Sequence, residues 1–270
     1  MIGCLQYIVW DVAPDLYVAG IPIHLYGVFF ALGLLVGGMA VIHLMRRYTA
    51  SQSYLIYAFV GILIGARLFH CLFYDPMYYA SHLAEIFLPI EEEGGKMVFG
   101  GFRGLASHGG VVGLMVALAI FARRNGLNYL EVCDIFAVAT PLTGSFVRLG
   151  NMMNSEILGI PTASPMAFVF KYADNIQRYP VALYEALWYF ALFVLLWFIY
   201  RAYGNKHRLR GLSMGIAFTG VAVFRFFIEF IKENQECYTP LLPINMGQML
   251  SIPFAVAGVW LIVAAIRRRS

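Results

Sequence analysis

Seven apolar runs, separated by short polar stretches, order the chain: roughly 23–45, 54–73, 108–122, 131–147, 180–200, 211–231 and 246–266. A helix crosses the bilayer core with ~20 apolar residues at about 1.5 Å per residue, and the third and fourth runs fall short of that length. None of the runs alternates with period two, and they are long for strands. The pattern predicts an all-α polytopic membrane helix bundle of about seven transmembrane helices, forming a single domain over residues 1–270.

The polar segments between the runs carry charge asymmetrically. Arg46 and Arg47, then Arg123 and Arg124, then Arg201, Lys206, Arg208 and Arg210, then Arg267, Arg268 and Arg269 fall in alternate segments that contain no acid. The other set holds Lys96, Arg103, Arg148, Lys171, Arg178 and Lys232 together with most of the acids. The positive-inside rule puts the first set in the cytoplasm. An odd number of crossings then places the N-terminus outside and the C-terminus inside. Two outer loops are long, at about 74–107 and 148–179. Long loops with polar clusters on one side of a membrane are where function concentrates.

Composition agrees with this reading. Hydrophobic residues make up 61%, charged residues 13%, and the mean hydropathy is +0.73. Soluble domains average about 25% charged residues, so most of this surface is expected to face lipid. The net charge of +4 is distributed as topology signals and forms no basic stripe, so nucleic acid is not an expected partner. The four cysteines Cys4, Cys71, Cys133 and Cys237 have no CxxC or Cys/His ligand spacing, and no metal site is expected. Residues 1–22 hold Asp11 and Asp15 but no Lys or Arg, so no basic signal-peptide region is expected there.

Ionisable residues in or beside apolar spans are costly, and each is a functional candidate. The densest group is Arg148, Asn151, Asn154, Ser155 and Glu156. In a helix Arg148, Asn151 and Ser155 share one face, offering a cation and amide donors near the outer boundary. A guanidinium matches two phosphate oxygens with planar donors. Arg225 and Glu229 stand four residues apart among phenylalanines in the sixth run, with Lys232 following. Glu229 reads as orienting Arg225, and the pair also reads as a self-satisfied ion pair. His108 heads the third run in Ser107-His108-Gly109-Gly110. Histidine titrates near neutrality, while Gly109 and Gly110 permit close backbone approach to an anion. Tyr26 opens the first run and reads equally as an interfacial belt residue. Arg67, inside the second run, requires a partner or water. For Glu185 and Gln248, core hydrogen bonding is a sufficient account.

These stretches resemble the prolipoprotein diacylglyceryl transferases. The resemblance rests on Ala66-Arg67-Leu68-Phe69, Ser107-His108-Gly109-Gly110, Arg148-Leu149-Gly150-Asn151 through Glu156 and Gly159, and Phe224-Arg225 through Glu229. Tyr26-Gly27, Tyr179-Pro180, Tyr184-Glu185-Ala186 and Gly247-Gln248 extend it over nearly the whole chain. It implies a bacterial inner-membrane enzyme of seven helices with its site toward the periplasm. The implied reaction moves the diacylglyceryl group of phosphatidylglycerol to the lipobox cysteine of a preprolipoprotein signal peptide, with no cofactor. The important positions it implies are Tyr26, His108, Arg148, Asn151, Glu156, Gly159, Arg225 and Glu229. Asn154, Gly109 and Gly110 are added as substrate-binding candidates.

On this reading Arg148 and Arg225 stabilise the charge that builds on the departing phosphate. His108 serves as base or as phosphate ligand. Asn151 and Tyr26 position lipid, and Glu156 and Glu229 orient the arginines. The rival expectation is a lipid or small-anion transporter, which requires polar residues continuing to the cytoplasmic half.

Overall fold

The computed structural model of the chain describes residues 7–18, 20–73, 76–88, 90–93, 96–99, 106–203, 209–233 and 245–268. Cys4 and Cys237, and with them the question of their pairing, lie outside the described residues. The fold is mostly helical. Its long helices are α1 (Leu25–Met45), α2 (Ser53–Phe73), α5 (Ser107–Arg124), α6 (Tyr129–Met153), α7 (Val181–Tyr203), α8 (Leu212–Ile228) and α9 (Met246–Arg267). Short α3 (Pro76–Ser81) and α4 (Leu83–Phe87) follow α2. Among the described residues, α1, α2, α6, α7 and α9 are long and apolar enough to cross a membrane, and α8 is a shorter apolar helix. Leu35, Phe59, Phe198 and Trp260 are 60–67% exposed, an arrangement that water would penalise and acyl chains would not.

Two features depart from the sequence expectation. First, α6 continues to Met153 instead of ending near 147, so Arg148 and Asn151 sit on its last turns and not in a loop. The apolar run stops early because this helical face turns polar, not because the helix ends. Second, short strands occupy segments between the helices: β1 (Tyr7–Trp10), β2 (Asp15–Val18), β3 (Ile21–His24), β4 (Ile90–Glu93), β5 (Lys96–Phe99), β6 (Ala167–Phe170) and β7 (Gln177–Arg178). Of these only β3 touches an apolar run, overlapping the start of the first.

The chain forms two compact units, residues 1–44 with 134–270 and residues 45–133. In the first, α1 meets α6 where Gly33 and Gly37 face Thr143, whose Oγ1 donates to the Gly33 carbonyl at 3.1 Å. Small residues let helix backbones approach closely, the usual basis of association in lipid. Asp134 on α6 accepts from the Gly211 and Met214 amides at 2.7 and 2.8 Å. It thereby satisfies donors that the start of α8 would otherwise leave open. Beyond α6, β6 pairs in parallel with β1 and antiparallel with β7. Phe168 and Phe170 pack with Met152 and Ala182, and Trp10, Ile157, Leu158 and Leu183 close over them. This small apolar sheet anchors the segment joining α6 to α7.

In the second unit α2 and α5 pack through Gly61, Gly65, Gly109 and Gly113, where an added Cβ would collide with facing backbone. The missing side chain of Gly109 thus serves helix packing. Arg67 is 6% exposed. It donates to the Glu85 carbonyl at 2.5 Å, to the Ile86 carbonyl at 3.4 Å and to the Tyr79 hydroxyl at 3.4 Å, with its guanidinium 4.9 Å from the Tyr79 ring centre.

Candidate lipid-headgroup site

The polar site grows from the last turns of α6. Three positions along that helix lie against α7. Ser145 Oγ donates to the Ala186 carbonyl at 2.8 Å. Gly144 leaves room for the Tyr189 ring, because a Cβ there would stand 3.2 Å from Tyr189 Cδ2. Arg148 Nε lies 2.9 Å from Glu185 Oε2, whose side chain is only 3% exposed. That contact is an ion pair by distance without the alignment of a hydrogen bond. The Arg148 Nη1 group donates to Asn151 Oδ1 at 3.2 Å. Asn151 Nδ2 in turn donates to Glu156 Oε2 at 2.9 Å, and Asn154 Nδ2 to Glu156 Oε1 at 2.5 Å. A continuous polar chain therefore runs Glu185, Arg148, Asn151, Glu156, Asn154.

The turn carrying Glu156 is held in an unusual backbone. Ser155 and Ile157 have φ of 52° and 56°, in the left-handed region that L-residues avoid. Glu156 itself is exposed while Asn151 is buried. Tyr26, at the start of α1, lies beside this turn, within electrostatic reach of both Glu156 and Arg148. It sits there because Gly150 brings α6 against it: a Cβ at 150 would be 3.2 Å from Tyr26 Cδ2 and from Phe29 Cβ.

Gly159 is pinned between two segments. Its amide donates to the Tyr179 carbonyl at 3.0 Å, it bridges to Lys232, and its carbonyl accepts from Arg178 Nη1 at 2.9 Å. A Cβ would be 2.6 Å from the Tyr179 oxygen and 2.9 Å from the Ile231 oxygen. Glycine is required by this close approach, since its φ is not positive. Arg178 completes the clasp with Asp174 and with Glu233 at 3.0 Å. The guanidinium beside Asp174 holds its carboxyl below the usual aspartate value.

Arg225 enters from α8. The α7–α8 contact is set by Trp188, whose Nε1 donates to the Gly220 carbonyl at 3.0 Å and whose ring stacks on Phe224 at 4.9 Å. Tyr189, next along α7, lies within electrostatic reach of Arg148, Glu185 and Arg225. Both arginines thus approach one phenol. Among the described residues Arg225 has no ion pair or hydrogen bond of its own. Glu229 does not supply one: it follows the last turn of α8 and faces Lys232 Nζ at 3.7 Å, with Gly247 of α9 packed on its carboxyl. Glu156 likewise bonds the two asparagines and not Arg148 directly.

A sequence profile described as Prolipoprotein diacylglyceryl transferase matches residues 14–264. The chain belongs to the prolipoprotein diacylglyceryl transferase family. It is similar to the phosphatidylglycerol–prolipoprotein diacylglyceryl transferase of Bacteroides fragilis, at 44% identity over 96% of each chain. Those of Chloroherpeton thalassium and Porphyromonas gingivalis are 40% and 39% identical. They cover 97% of this chain and 96% and 95% of their own lengths, respectively.

Of the candidate residues, Tyr26, Arg148, Asn151, Asn154 and Glu156 stand together, and Arg225 joins them through Tyr189. Gly159 and Glu229 hold the surrounding segments. His108 heads α5 in the other unit, with Gly109 and Gly110, and its side chain lies outside the described residues. Sequence reasoning passed over Glu185 and Tyr189. The signal was present for Glu185, because a carboxylate inside an apolar run needs a cation and Arg148 needed an anion. Tyr189 gave no such signal among the aromatics of α7.

Proposed function

We propose that the protein transfers the diacylglyceryl group of phosphatidylglycerol to the lipobox cysteine thiol of a preprolipoprotein signal peptide, at the periplasmic face of a bacterial inner membrane. The sulfur loses its proton and attacks the glyceryl carbon that bears the phosphate. A C–S thioether bond forms as the C–O bond breaks, and the electron pair leaves with glycerol phosphate. The observation that carries the reading is the buried network in which Glu185 and Asn151 hold the Arg148 guanidinium and Asn151 leads on to Glu156, with a second guanidinium, Arg225, that has no ion pair or hydrogen bond among the described residues. A cation without a counter-ion in an apolar span is costly, and a phosphodiester supplies the missing charge. As phosphate leaves, negative charge grows on its oxygens, and two preset guanidiniums stabilise that charge more than the ground state.

Asn151 and Glu156 hold Arg148 from one side and Glu185 from the other. Tyr26, half-buried at the start of α1, contacts lipid or peptide on this reading. A free thiol has a pKa near ~8.5, so the positive field here also favours its thiolate. His108 remains our candidate base or further phosphate ligand.

The test is transfer from phosphatidylglycerol to a lipobox peptide, followed by thin-layer chromatography and peptide mass. Arg148→Ala and Arg225→Ala should each lower turnover by about 10²–10³-fold, the range for losing one charge-stabilising donor. The melting temperature of Arg225→Ala in detergent should stay near that of the parent, while that of Arg148→Ala should fall, because Glu185 is left buried without its cation. Full transfer by either folded variant would overturn the two-arginine reading, and lipid exchange without peptide modification would favour a carrier.

A further inference from the structure

We infer that the β2–β3 hairpin is an amphipathic ribbon lying flat in the headgroup layer of the leaflet where α1 begins, with its aliphatic face against the acyl chains. The partner of this surface is the lipid bilayer.

The pairing of the two strands sorts their side chains. Asp15 pairs with His24, Leu16 with Ile23, Tyr17 with Pro22 and Val18 with Ile21. Directly opposed residues point to the same side of a sheet, and successive residues to opposite sides. One face therefore carries Leu16, Val18, Ile21 and Ile23, all aliphatic. The other carries Asp15, His24, Tyr17 and Pro22. The aliphatic four are 38–65% exposed, so no part of the described chain covers them. An isolated two-stranded ribbon is marginally stable at best in water, and a contiguous apolar face marks a surface that meets a partner.

Three observations identify that partner as lipid. The first is continuity with a membrane-crossing helix. The ribbon ends at His24 and α1 begins at Leu25. The Leu25 amide donates to the Pro14 carbonyl at 2.9 Å, and the Asp15 carboxylate bonds the His24 ring. Both strands are thus fastened to the first turn of α1, which keeps them at the bilayer boundary. The second is the opposite face, where the Asp15–His24 pair and the exposed Tyr17 suit the wet side of an interface. The third is the edge. Pro22 brings no N–H to the ladder, which blunts the outer edge of β3 against a further strand from a peptide or a second copy. The ribbon's two open edges also set its depth. Their backbone groups would go unsatisfied in hydrocarbon, so the aliphatic face reaches only about 5–10 Å below the headgroups, as interfacial helices do. The ribbon then fixes the level at which α1 starts, immediately ahead of Tyr26.

The test is nitroxide labelling of the full chain in phosphatidylcholine–phosphatidylglycerol vesicles, with the four native cysteines replaced by alanine. Labels at Leu16→Cys and Ile21→Cys should collide with oxygen several-fold more than with a water-soluble nickel chelate. Labels at Tyr17→Cys and Pro22→Cys should show the reverse, giving an alternation of period two. On the unmodified chain, a phospholipid carrying a photoactivated carbene precursor near its glycerol should label residues 16–23, and a water-soluble carbene precursor should leave the aliphatic four unlabelled. Equal exposure of both faces to the chelate would put the ribbon in water and overturn the inference. Protection of the aliphatic face from both oxygen and chelate would overturn it in favour of a second copy of the chain. An aliphatic face open to the chelate until a lipobox peptide is added would make the partner a peptide and overturn it as well.

Discussion

Arg67 and Arg148 are both arginines within long apolar helices, yet their surroundings differ in kind. Arg67 is bound by two backbone carbonyls, a tyrosine hydroxyl and a tyrosine ring, all from α3 and α4 in its own unit. Its donors are directed into local structure. Arg148 is held by side chains, Glu185 and Asn151, and a second cation, Arg225 on α8, has no ion pair or hydrogen bond among the described residues. The expense of an intramembrane arginine is thus met in two ways. One ties down a loop, and the other keeps a charge available. Residue type and hydropathy do not distinguish them; the ownership of the acceptors does.

The largest expected effect separates the two. Arg225→Ala should lower transfer about 10²–10³-fold and leave thermal stability intact, because among the described residues no group pairs with it. Arg67→Met should do the reverse. It leaves the Glu85 and Ile86 carbonyls without their donors, at about 1–3 kcal/mol, so yield and melting temperature fall while turnover per folded molecule persists. Thermal scanning and lipidation assays on the same preparations decide this. Loss of transfer without loss of stability in Arg67→Met would erase the distinction.

Glu185→Gln comes next. The amide can still accept from Arg148 but carries no charge, and the guanidinium loses its fixed counter-ion. We expect about a tenfold drop in transfer together with a lower melting temperature, and recovery of neither in the presence of excess phosphatidylglycerol. A smaller effect is expected at Gly159. An alanine methyl there meets the Tyr179 and Ile231 carbonyls, and overpacking of this kind costs about 1–3 kcal/mol. Protease sensitivity of the 154–180 segment should rise before transfer falls.

Much of this was legible in the sequence. The apolar runs located the long helices of the described residues to within a few residues, except at the end of α6, where Arg148 and Asn151 broke the hydropathy without breaking the helix. The polar face through Arg148 and Asn151 was visible from spacing because the interaction is local, whereas Ser155, read onto the same face, falls beyond the helix end at Met153 in a left-handed backbone. What was not legible is pairing at a distance. Glu229 looked like the partner of Arg225 because it is four residues away, but α8 ends at Ile228 and Glu229 turns to Lys232. Glu185 looked like core filling because its cation lies on another helix. The strand Tyr7–Trp10 escaped because its pairing depends on a segment far away in the chain, Ala167–Phe170.

The smallest expected effect lies outside the membrane, in the clasp around Gly159, and it tests whether that clasp is structural in the sense that Arg67 is. Asp174 bonds Arg178 through Nε at 2.7 Å, and the guanidinium holds its carboxyl below the ordinary value. A carboxyl depressed in the folded state binds fewer protons folded than unfolded. Its contribution is therefore complete above the unfolded pKa of about 3.9 and fades as pH falls through the lower folded value. Melting temperature should decline more steeply on acidification below about pH 4 in the parent than in Asp174→Asn. The variant should be slightly less stable at neutral pH, and its transfer activity should be unchanged. Parallel acid profiles for the two proteins would mean the carboxylate contributes nothing, leaving Gly159 held by its backbone bonds and by Glu233 through Arg178.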